Sequence, residues 1–493
     1  MSPEPATPDG GGTAPPASGT RAAVGNIASL LSSNVVNRAT SFIVYAVVGR
    51  YRGATELGQL ALAITLLYFF NRLVVLGLQT LTTREVSRDP SLSGRYLVNA
   101  TTIILGTSAL GYLGAYLFVE LMGYPADTSR VILVTFVGLA PLSIATISEA
   151  VLLAWHRASY IAYITTPVYL SQTAVAFWLI DTGRSIESVA VSIVAAYTVI
   201  ALLQFVAAAR VGSVDTYRPD VGSARTMVRD GSTFLGIQAT LALRASLTVI
   251  LISTFLTESD VGIYSAARQL IVPLALVSQA VGLGLFPTMV RRAGSGTQQL
   301  RDLVGKVTEA MTAIILPAVV GLALVAQPVL DLIYGSDGFD ESRTVLVILV
   351  WSALTGAWTA VLGQALWADR REREALRISV INLVAHAALL LALIPQLGIN
   401  GAAVGVVIVG IFNLGQLYVE VARAVGRNPI WTSLWRPAIA TAVMAVVVVA
   451  TPQFHVIVRS LIGAATYAAA IALIMRTTGH SLQSLGLGRS NEP

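Results

Sequence analysis

The chain has 493 residues, of which 32 are Lys or Arg and 26 are Asp or Glu. Charged residues make up 12% of the sequence, half the roughly 25% typical of soluble domains. Hydrophobic residues make up 55%, which leaves too few charges to cover several water-soluble domains and excludes a soluble enzyme. The absence of cysteine excludes disulfides, thiolate metal sites and cysteine nucleophiles.

Long apolar runs follow one another along almost the whole chain. A membrane-spanning helix needs about 20 mostly apolar residues, and continuous runs favour helices over the alternating strands of a barrel. Residues 1–25, rich in Pro, Gly, Ala, Ser and Thr, predict a disordered tail. The sequence therefore predicts an all-α polytopic membrane protein with fourteen spans, at 26–49, 57–82, 97–121, 130–153, 159–181, 187–209, 231–256, 261–289, 307–333, 344–368, 375–396, 399–422, 437–452 and 457–475.

The basic residues are distributed unevenly between the two sides of these spans. Loops and tails on the side of both termini carry 22 Lys or Arg residues, whereas the opposite loops carry six. Because cytoplasmic loops are enriched in Lys and Arg, both termini are predicted to be cytoplasmic. The same distribution accounts for the net charge of +6, so nucleic acid is not expected as a partner.

Three short motifs recur at offsets of 204 to 213 residues. The segment 56–60 (ELGQL) matches 260–264 (DVGIY), Trp155 matches Trp367, and Arg38 matches Arg244. Six spans separate the copies, so the two halves should be parallel repeats, with any substrate path between them. This predicts an N-lobe at 26–209, a cytoplasmic linker at 210–230, a C-lobe at 231–423, two appended helices within 424–475, and a C-terminal tail at 476–493.

Four arginines remain inside the predicted spans. A charged side chain at the bilayer centre costs about 2.5–3.5 kcal/mol on insertion scales, so each needs water, a partner or a ligand. Asn34, Asn37, Arg38 and Ser41 share one face of the first helix, and Asn71 adjoins Arg72 in the second. No Asp or Glu lies at comparable depth in these helices, which favours a hydrated cationic cavity over internal ion pairs. The predicted substrate-binding residues are Arg38, Arg72, Arg244, Arg268, Asn34, Asn37 and Asn71.

The chemistry of this set favours an anion. Guanidinium groups present paired donors that match phosphate oxygens, so a phosphate or pyrophosphate headgroup is the expected ligand. The four histidines lack metal-ligand spacing, and no nucleotide-binding motif is present, so no metal or cofactor is predicted.

Several segments resemble those of polysaccharide and oligosaccharide flippases. They belong to the superfamily of multidrug, oligosaccharidyl-lipid and polysaccharide exporters, and the resemblance covers residues 26–475. The segments are VVGRYRGATELGQLALA, LTTREVSRD, TESDVGIYSAARQL, VAQPVLDLIYG and LGINGAAVGVVI.

The resemblance implies two pseudo-symmetric six-helix lobes around a V-shaped cavity, and export of a lipid-linked sugar by alternating access. It implies a prokaryotic cytoplasmic membrane, membrane lipids and a lipid-linked oligosaccharide as partners, and glycosyltransferases of the same pathway nearby. Two alternatives remain, an ion-coupled drug exporter of the same superfamily and a membrane glycosyltransferase or polymerase. Arginines in place of cavity carboxylates argue against the exporter, and short outer loops argue against the enzyme.

Overall fold

A computed structural model describes residues 18–212, 217–295, 297–336, 338–369, 371–426 and 434–477. The regular structure in these residues is helical, as predicted, with one short 3-10 turn at Pro90–Leu92. The helices are α1 Ser18–Val74, α2 Leu78–Arg88, α3 Ser93–Met122, α4 Ala126–Phe136, α5 Leu139–Ala154, α6 Ala158–Asp181, α7 Ile186–Val211, α8 Val221–Phe255, α9 Glu258–Ser295, α10 Thr297–Leu324, α11 Ala326–Tyr334, α12 Asp340–Leu349, α13 Trp351–Ala368, α14 Glu372–Val425, α15 Trp435–Ala450 and α16 Val456–Thr477.

Ten segments within the described residues are long and apolar enough to cross a membrane. Two of them, Ser33–Val74 and Arg373–Ala424, have 42 and 52 residues and are kinked. Because one crossing takes about 20 residues, each can cross twice. Together with α6 and the short α15, the described helices accommodate fourteen crossings. The predicted all-α polytopic membrane fold is confirmed.

The kinks lie at Gly53 in α1 and Gly398 in α14. Their φ angles are 81° and 59°, in the left-handed region that glycine enters without steric cost. Each glycine therefore reverses the chain between two crossings. We call the membrane side that holds Gly53 the Gly53 side, and the opposite one the terminal side, because α1 starts there.

Some predicted boundaries are wrong at the ends of spans. The helix α1 begins at Ser18, inside the segment predicted as a disordered tail, because good helix formers such as Ala22 and Ala23 follow the last prolines. The predicted span 57–82 is interrupted after Val74, where Leu76 and Gly77 both have positive φ. Residues 307–333 are likewise divided between α10 and α11. The remainder of both predicted tails lies outside the described residues.

The predicted linker 210–230 is shorter than expected, because α8 begins at Val221. Asp220 caps this helix, and its carboxylate accepts hydrogen bonds from the backbone N–H of Gly222 at 3.3 Å and Ser223 at 2.8 Å. Hydrogen bonds from Ser223 hold the pKa of Asp220 below its ordinary value, so the cap stays ionised. This capping signal sits in a polar stretch that hydropathy alone cannot distinguish from a loop.

The hydrophobic core is arranged differently on the two sides of the membrane. Towards the Gly53 side, one cluster joins both halves of the chain and includes Val48, Leu57, Ile263 and Tyr334. Towards the terminal side, one cluster belongs to the first half of the chain and another to the second. The two lobes are thus packed together on the Gly53 side and have separate cores on the terminal side.

The helix α8 packs against both halves. Its first part contributes Met227 and Phe234 to the N-lobe cluster beside α2 and α3, while the helix also packs against α14 of the second half. At the near end, Gly77 and Gly231 approach so closely that a methyl group added to Gly231 would lie 2.9 Å from the Leu76 carbonyl oxygen. One helix therefore connects the two lobes on the terminal side.

Candidate functional site

A cavity of about 670 Å³ lies between the halves of the chain. At about 30 Å³ per water molecule, it holds roughly twenty waters, more room than a single ion needs. Both crossings of α1 line it, together with α6, α7, α8 and α9. The lining residues are Asn34, Asn37, Arg38, Thr40, Ser41, Val44, Tyr45, Ile64, Thr65, Tyr68, Arg72, Tyr169, Gln172, Ile193, Ala196, Tyr197, Gln238, Leu241, Ala242, Ala245, Ser246, Ser265, Arg268, Gln269 and Val272.

Five of the seven predicted site residues line this cavity. Arg38 and Asn34 come from the first crossing of α1, Arg72 from its second crossing and Arg268 from α9, and all four are exposed. Asn37 completes the stripe on α1. These arginines, far apart in sequence, line one cavity because α1 packs against α9.

The polar lining carries positive charge without acidic side chains. Among the described residues that line the cavity, none is Asp or Glu. The guanidinium of Arg72 donates to the side-chain oxygen of Gln79 at 3.4 Å, which is a neutral acceptor, and the partly buried Glu149 carboxylate of α5 lies within electrostatic range behind the wall. The cavity thus offers three cationic groups in an open, polar space, an arrangement suited to a ligand with one or two phosphates.

Asn71 does not face the cavity. Its side chain is buried, at 5% exposure, and donates to the Ser143 hydroxyl at 2.8 Å. Neighbouring helical residues point about 100° apart, so Arg72 can face the cavity while Asn71 faces α5. Asn71 thus joins two helices of the N-lobe.

Arg244 lies apart from the other arginines. It lines a second cavity of about 230 Å³, whose walls come from α8, α9, α13 and α14. Arg268 lines both cavities, as does Ala245. Arg38 and Arg244 match in the sequence repeat, yet they face different spaces.

A group of aromatic residues in the larger cavity escaped sequence reasoning. Tyr45, Tyr68, Tyr169 and Tyr197 line it, and the hydroxyls of Tyr68 and Tyr197 lie 3.1 Å apart. Tyr68 precedes Arg72 by four residues, so helical spacing from the arginines would have found it. Tyrosine offers both an apolar face and a polar tip, which suits contact with a sugar ring.

A chain of hydrogen bonds joins the two lobes on the Gly53 side of the cavity. The Gln59 amide donates to the Thr128 hydroxyl at 3.2 Å, and that hydroxyl donates to the Glu258 carboxylate at 3.1 Å. Nearby, the Arg50 guanidinium donates to the Leu332 carbonyl at 2.7 Å. Both the Gln59–Thr128–Glu258 series and the Arg50–Leu332 bond link α1 to a helix of the C-lobe, so this side of the cavity is held shut.

Two glycines bring the backbones of α1 and α9 together at the same place. A methyl group on Gly58 would overlap the Glu258 carbonyl oxygen, and one on Gly262 would overlap that of Ala54. Both Gly58 and Gly262, and Ala54 and Glu258, are separated by 204 residues, the offset of the repeat. The predicted repeat is thus expressed as a pseudo-two-fold contact between the lobes.

The fold is shared with solved transporters. A structure of lipid II flippase MurJ in an inward closed conformation superposes with a TM-score of 0.78 over 92% of this chain and 99% of that chain, at 14% identity. An inward-facing multidrug resistance MATE family transporter of the MOP superfamily gives a TM-score of 0.61 over 82% of this chain and 98% of that one, at 12% identity. At these identities the likeness concerns the fold alone.

Sequence relatives are found as well. A probable low-salt glycan biosynthesis flippase, Agl15 of Haloferax volcanii, is 32% identical over 158 residues. This alignment covers 32% of the present chain and 33% of the relative, so the chain matches about a third of its length.

The family profile described as lipid II flippase MurJ matches residues 69–463. This match extends from the second crossing of α1 into α16 and covers most of the chain. The predicted resemblance is confirmed for the superfamily, and within it the matching profile is that of the lipid II flippases. The chain belongs to the MurJ lipid II flippase family.

Proposed function

We propose that this protein is a flippase that moves a lipid-linked oligosaccharide across the cytoplasmic membrane, for assembly of a surface polysaccharide or glycoprotein. The observation that carries the proposal is the cavity between the lobes, with Arg38, Arg72 and Arg268 in its wall and no described acidic residue. Membership of the family and similarity to a probable glycan flippase support the same activity.

Different residues of the cavity bind different parts of the substrate. The arginines hold the phosphate or pyrophosphate, because planar guanidinium groups match its oxygens with paired hydrogen bonds. Tyr68, which is exposed in the cavity, contacts the sugars, and the polyprenyl chain remains in the bilayer. Binding thus needs no carboxylate from the protein.

The different packing on the two sides of the cavity allows the lobes to move relative to each other. The lobes are packed together on the Gly53 side and have separate cores on the terminal side. With both termini cytoplasmic, as the arginine distribution favours, this conformation takes substrate from the cytoplasmic leaflet. Rocking of the lobes then separates the Gly53 side and releases the glycan to the outer leaflet.

The charge of the cavity favours this function over drug export. A cationic drug needs an anionic site, and the described lining carries arginines instead. A lipid-linked glycan, with its phosphate, has the complementary charge. Glycosyltransferases that build this glycan are the expected functional partners.

Replacement of Arg38 or Arg72 by Gln tests the proposal. Losing a hydrogen bond to a charged group costs about 1.5–3 kcal/mol, so we expect flipping to slow by roughly tenfold or more. The measurement is the leaflet distribution of a fluorescent polyprenyl-pyrophosphate oligosaccharide in proteoliposomes. The matched control is Arg130→Gln, because Arg130 lies on the surface, 3.5 Å from Asp127.

Transport of a cationic drug is measured in the same vesicles and compared with lipid flipping. The proposal is supported if the wild type and Arg130→Gln flip the lipid at similar rates and Arg38→Gln flips it at least tenfold more slowly. Equal flipping in all three proteins, or transport of a cationic drug without glycan flipping, would refute it.

A further inference from the structure

The second cavity, beside Arg244, has a chemistry of its own. Its volume of about 230 Å³ corresponds to roughly eight waters, enough for a phosphate group but not for an oligosaccharide. We call it the C-lobe chamber, because α13 and α14 of that lobe form its far wall. The lining residues are Arg244, Ala245, Thr248, Tyr264, Arg268, Ser352, Thr355, Gly356, Thr359, His386, Val406, Val409, Gly410 and Asn413.

The chamber contains positive charge that the protein leaves unbalanced. Arg244 and Arg268 both line it, and none of the described residues in its wall is Asp or Glu. Arg244 is half-buried, and it has no hydrogen-bond or ion-pair partner among the described residues. A guanidinium in the middle of a membrane protein is costly unless a counter-charge or water compensates it.

A buried histidine adds a polar atom that lacks a partner in the described structure. His386 is 6% exposed, and its Nε2 lies 3.4 Å from the Thr248 hydroxyl. Its Nδ1 is buried and has no hydrogen-bond partner in the described structure. Unpaired polar atoms are rare in protein interiors and mark places where a water or ligand belongs.

We propose that the C-lobe chamber is a second oxyanion site, next to the central cavity, with Arg244 as its principal ligand. The occupant is a phosphate-sized group held between Arg244 and Arg268, with hydroxyls such as Thr359 beside it. Two sources supply that chemistry, the phosphate of a polyprenyl lipid and free inorganic phosphate. Because Arg268 lines both cavities, the two sites share one wall.

Phosphate binding to the purified full-length protein tests the site without any transport. Radiolabelled inorganic phosphate is measured by equilibrium dialysis at constant ionic strength, in wild type, Arg38→Gln, Arg244→Gln and the double variant. We expect two bound phosphates per wild-type chain, one in each single variant and none in the double variant. A single phosphate that Arg38→Gln removes and Arg244→Gln leaves unchanged would overturn the proposal, as would no binding to wild type.

A charge-balancing variant separates loss of the site from loss of the fold. Ser352→Asp places a carboxylate in the chamber wall, where it can pair with Arg244. This variant should bind the chamber phosphate at least tenfold more weakly, yet melt at or above the wild-type temperature without phosphate. Unchanged phosphate binding in a folded Ser352→Asp protein would overturn the proposal.

Competition identifies the source of the occupant. If polyprenyl phosphate in detergent displaces the phosphate that Arg38→Gln still binds, the chamber takes a lipid headgroup. If only free phosphate competes, the chamber takes an inorganic anion. Either result supports the site. The binding measurement is independent of the flipping assay, because it involves no translocation, so the proposed site and the proposed function can fail separately.

Discussion

Asn71 and Arg72 are neighbours in sequence and have different roles in the structure. The Arg72 side chain lies in the central cavity, and Asn71 is buried against Ser143 of α5. Polarity inside a membrane span therefore predicts that a residue needs a partner, without saying whether the partner is a ligand or another helix. The direction in which the side chain points decides between them.

Asn71→Ala should destabilise the protein and leave transport by folded molecules intact. Hydrogen bonds between membrane helices contribute about 0.6 kcal/mol on average and up to roughly 1.7 kcal/mol. The measurement is thermal unfolding in detergent together with flipping per folded molecule. Ser143→Ala should give a similar loss, and the double variant should lose less than the two losses added.

The opposite pattern would show that Asn71 contacts substrate. In that case Asn71→Ala would keep its melting temperature and lose flipping, whereas Ser143→Ala would leave flipping unchanged.

The sequence identifies the four arginines within the predicted spans because their charge conflicts with the surrounding apolar runs. It does not predict how they are divided, since Arg38 and Arg244 occupy matching positions in the repeat but line different cavities. Cavity shape depends on how helices distant in sequence cross, and a weak repeat does not specify this. The tyrosines were missed for a related reason, because tyrosine is common in membrane helices and gives no charge signal.

At the scale of the helices, hydropathy predicts where the chain crosses and misses where it breaks. The apolar run continues through Leu76 and through Val325, so hydropathy gives no sign of either break. Both breaks are changes in backbone conformation. The start of α8 was missed because its signal is a cap at Asp220, before the apolar part begins.

Replacing Gly262 by Ala should open the Gly53 side. The added methyl group overlaps the Ala54 carbonyl, so α1 and α9 must move apart in the present conformation. We expect a shift towards the conformation open on the Gly53 side, with slower flipping. The chain has no cysteine, so a single Ser41→Cys substitution in the cavity reports which side a membrane-impermeant maleimide can enter.

The matched control is Gly106→Ala, because a methyl group at Gly106 meets no atom within 4 Å. Labelling in the control should match the Ser41→Cys protein alone. Labelling of Gly262→Ala from the terminal side only, at the control rate, would contradict the role assigned to this contact.

At the scale of the whole molecule, α8 is the element that both lobes share. Its 35 residues extend about 52 Å, beyond the roughly 30 Å hydrocarbon thickness of a bilayer. Because its first part packs on the N-lobe, movement between the lobes must bend α8 or detach one of its ends. Gly236 lies between the two contacts and is exposed.

Gly236→Ala should therefore stiffen the helix and slow transport without harming the fold. Glycine within a helix is less favourable than alanine by about 1 kcal/mol, and a methyl group here meets no atom within 4 Å. We expect an unchanged or higher melting temperature and slower flipping in proteoliposomes. Gly363→Ala in α13 is the control, since a methyl group there also meets no atom within 4 Å, and it should flip normally. Equal flipping by both variants would show that α8 does not bend at Gly236.

The single core on the Gly53 side has an energetic consequence for the movement. In water, separating Leu57 from Ile263 and Tyr334 would cost about 25 cal/mol for each Å² of apolar surface exposed. Where the separated surfaces meet lipid tails, those contacts are replaced and apolar packing opposes opening only weakly. The polar bonds of Gln59, Thr128 and Glu258 add to the closure, and water that enters the cavity can replace them one at a time.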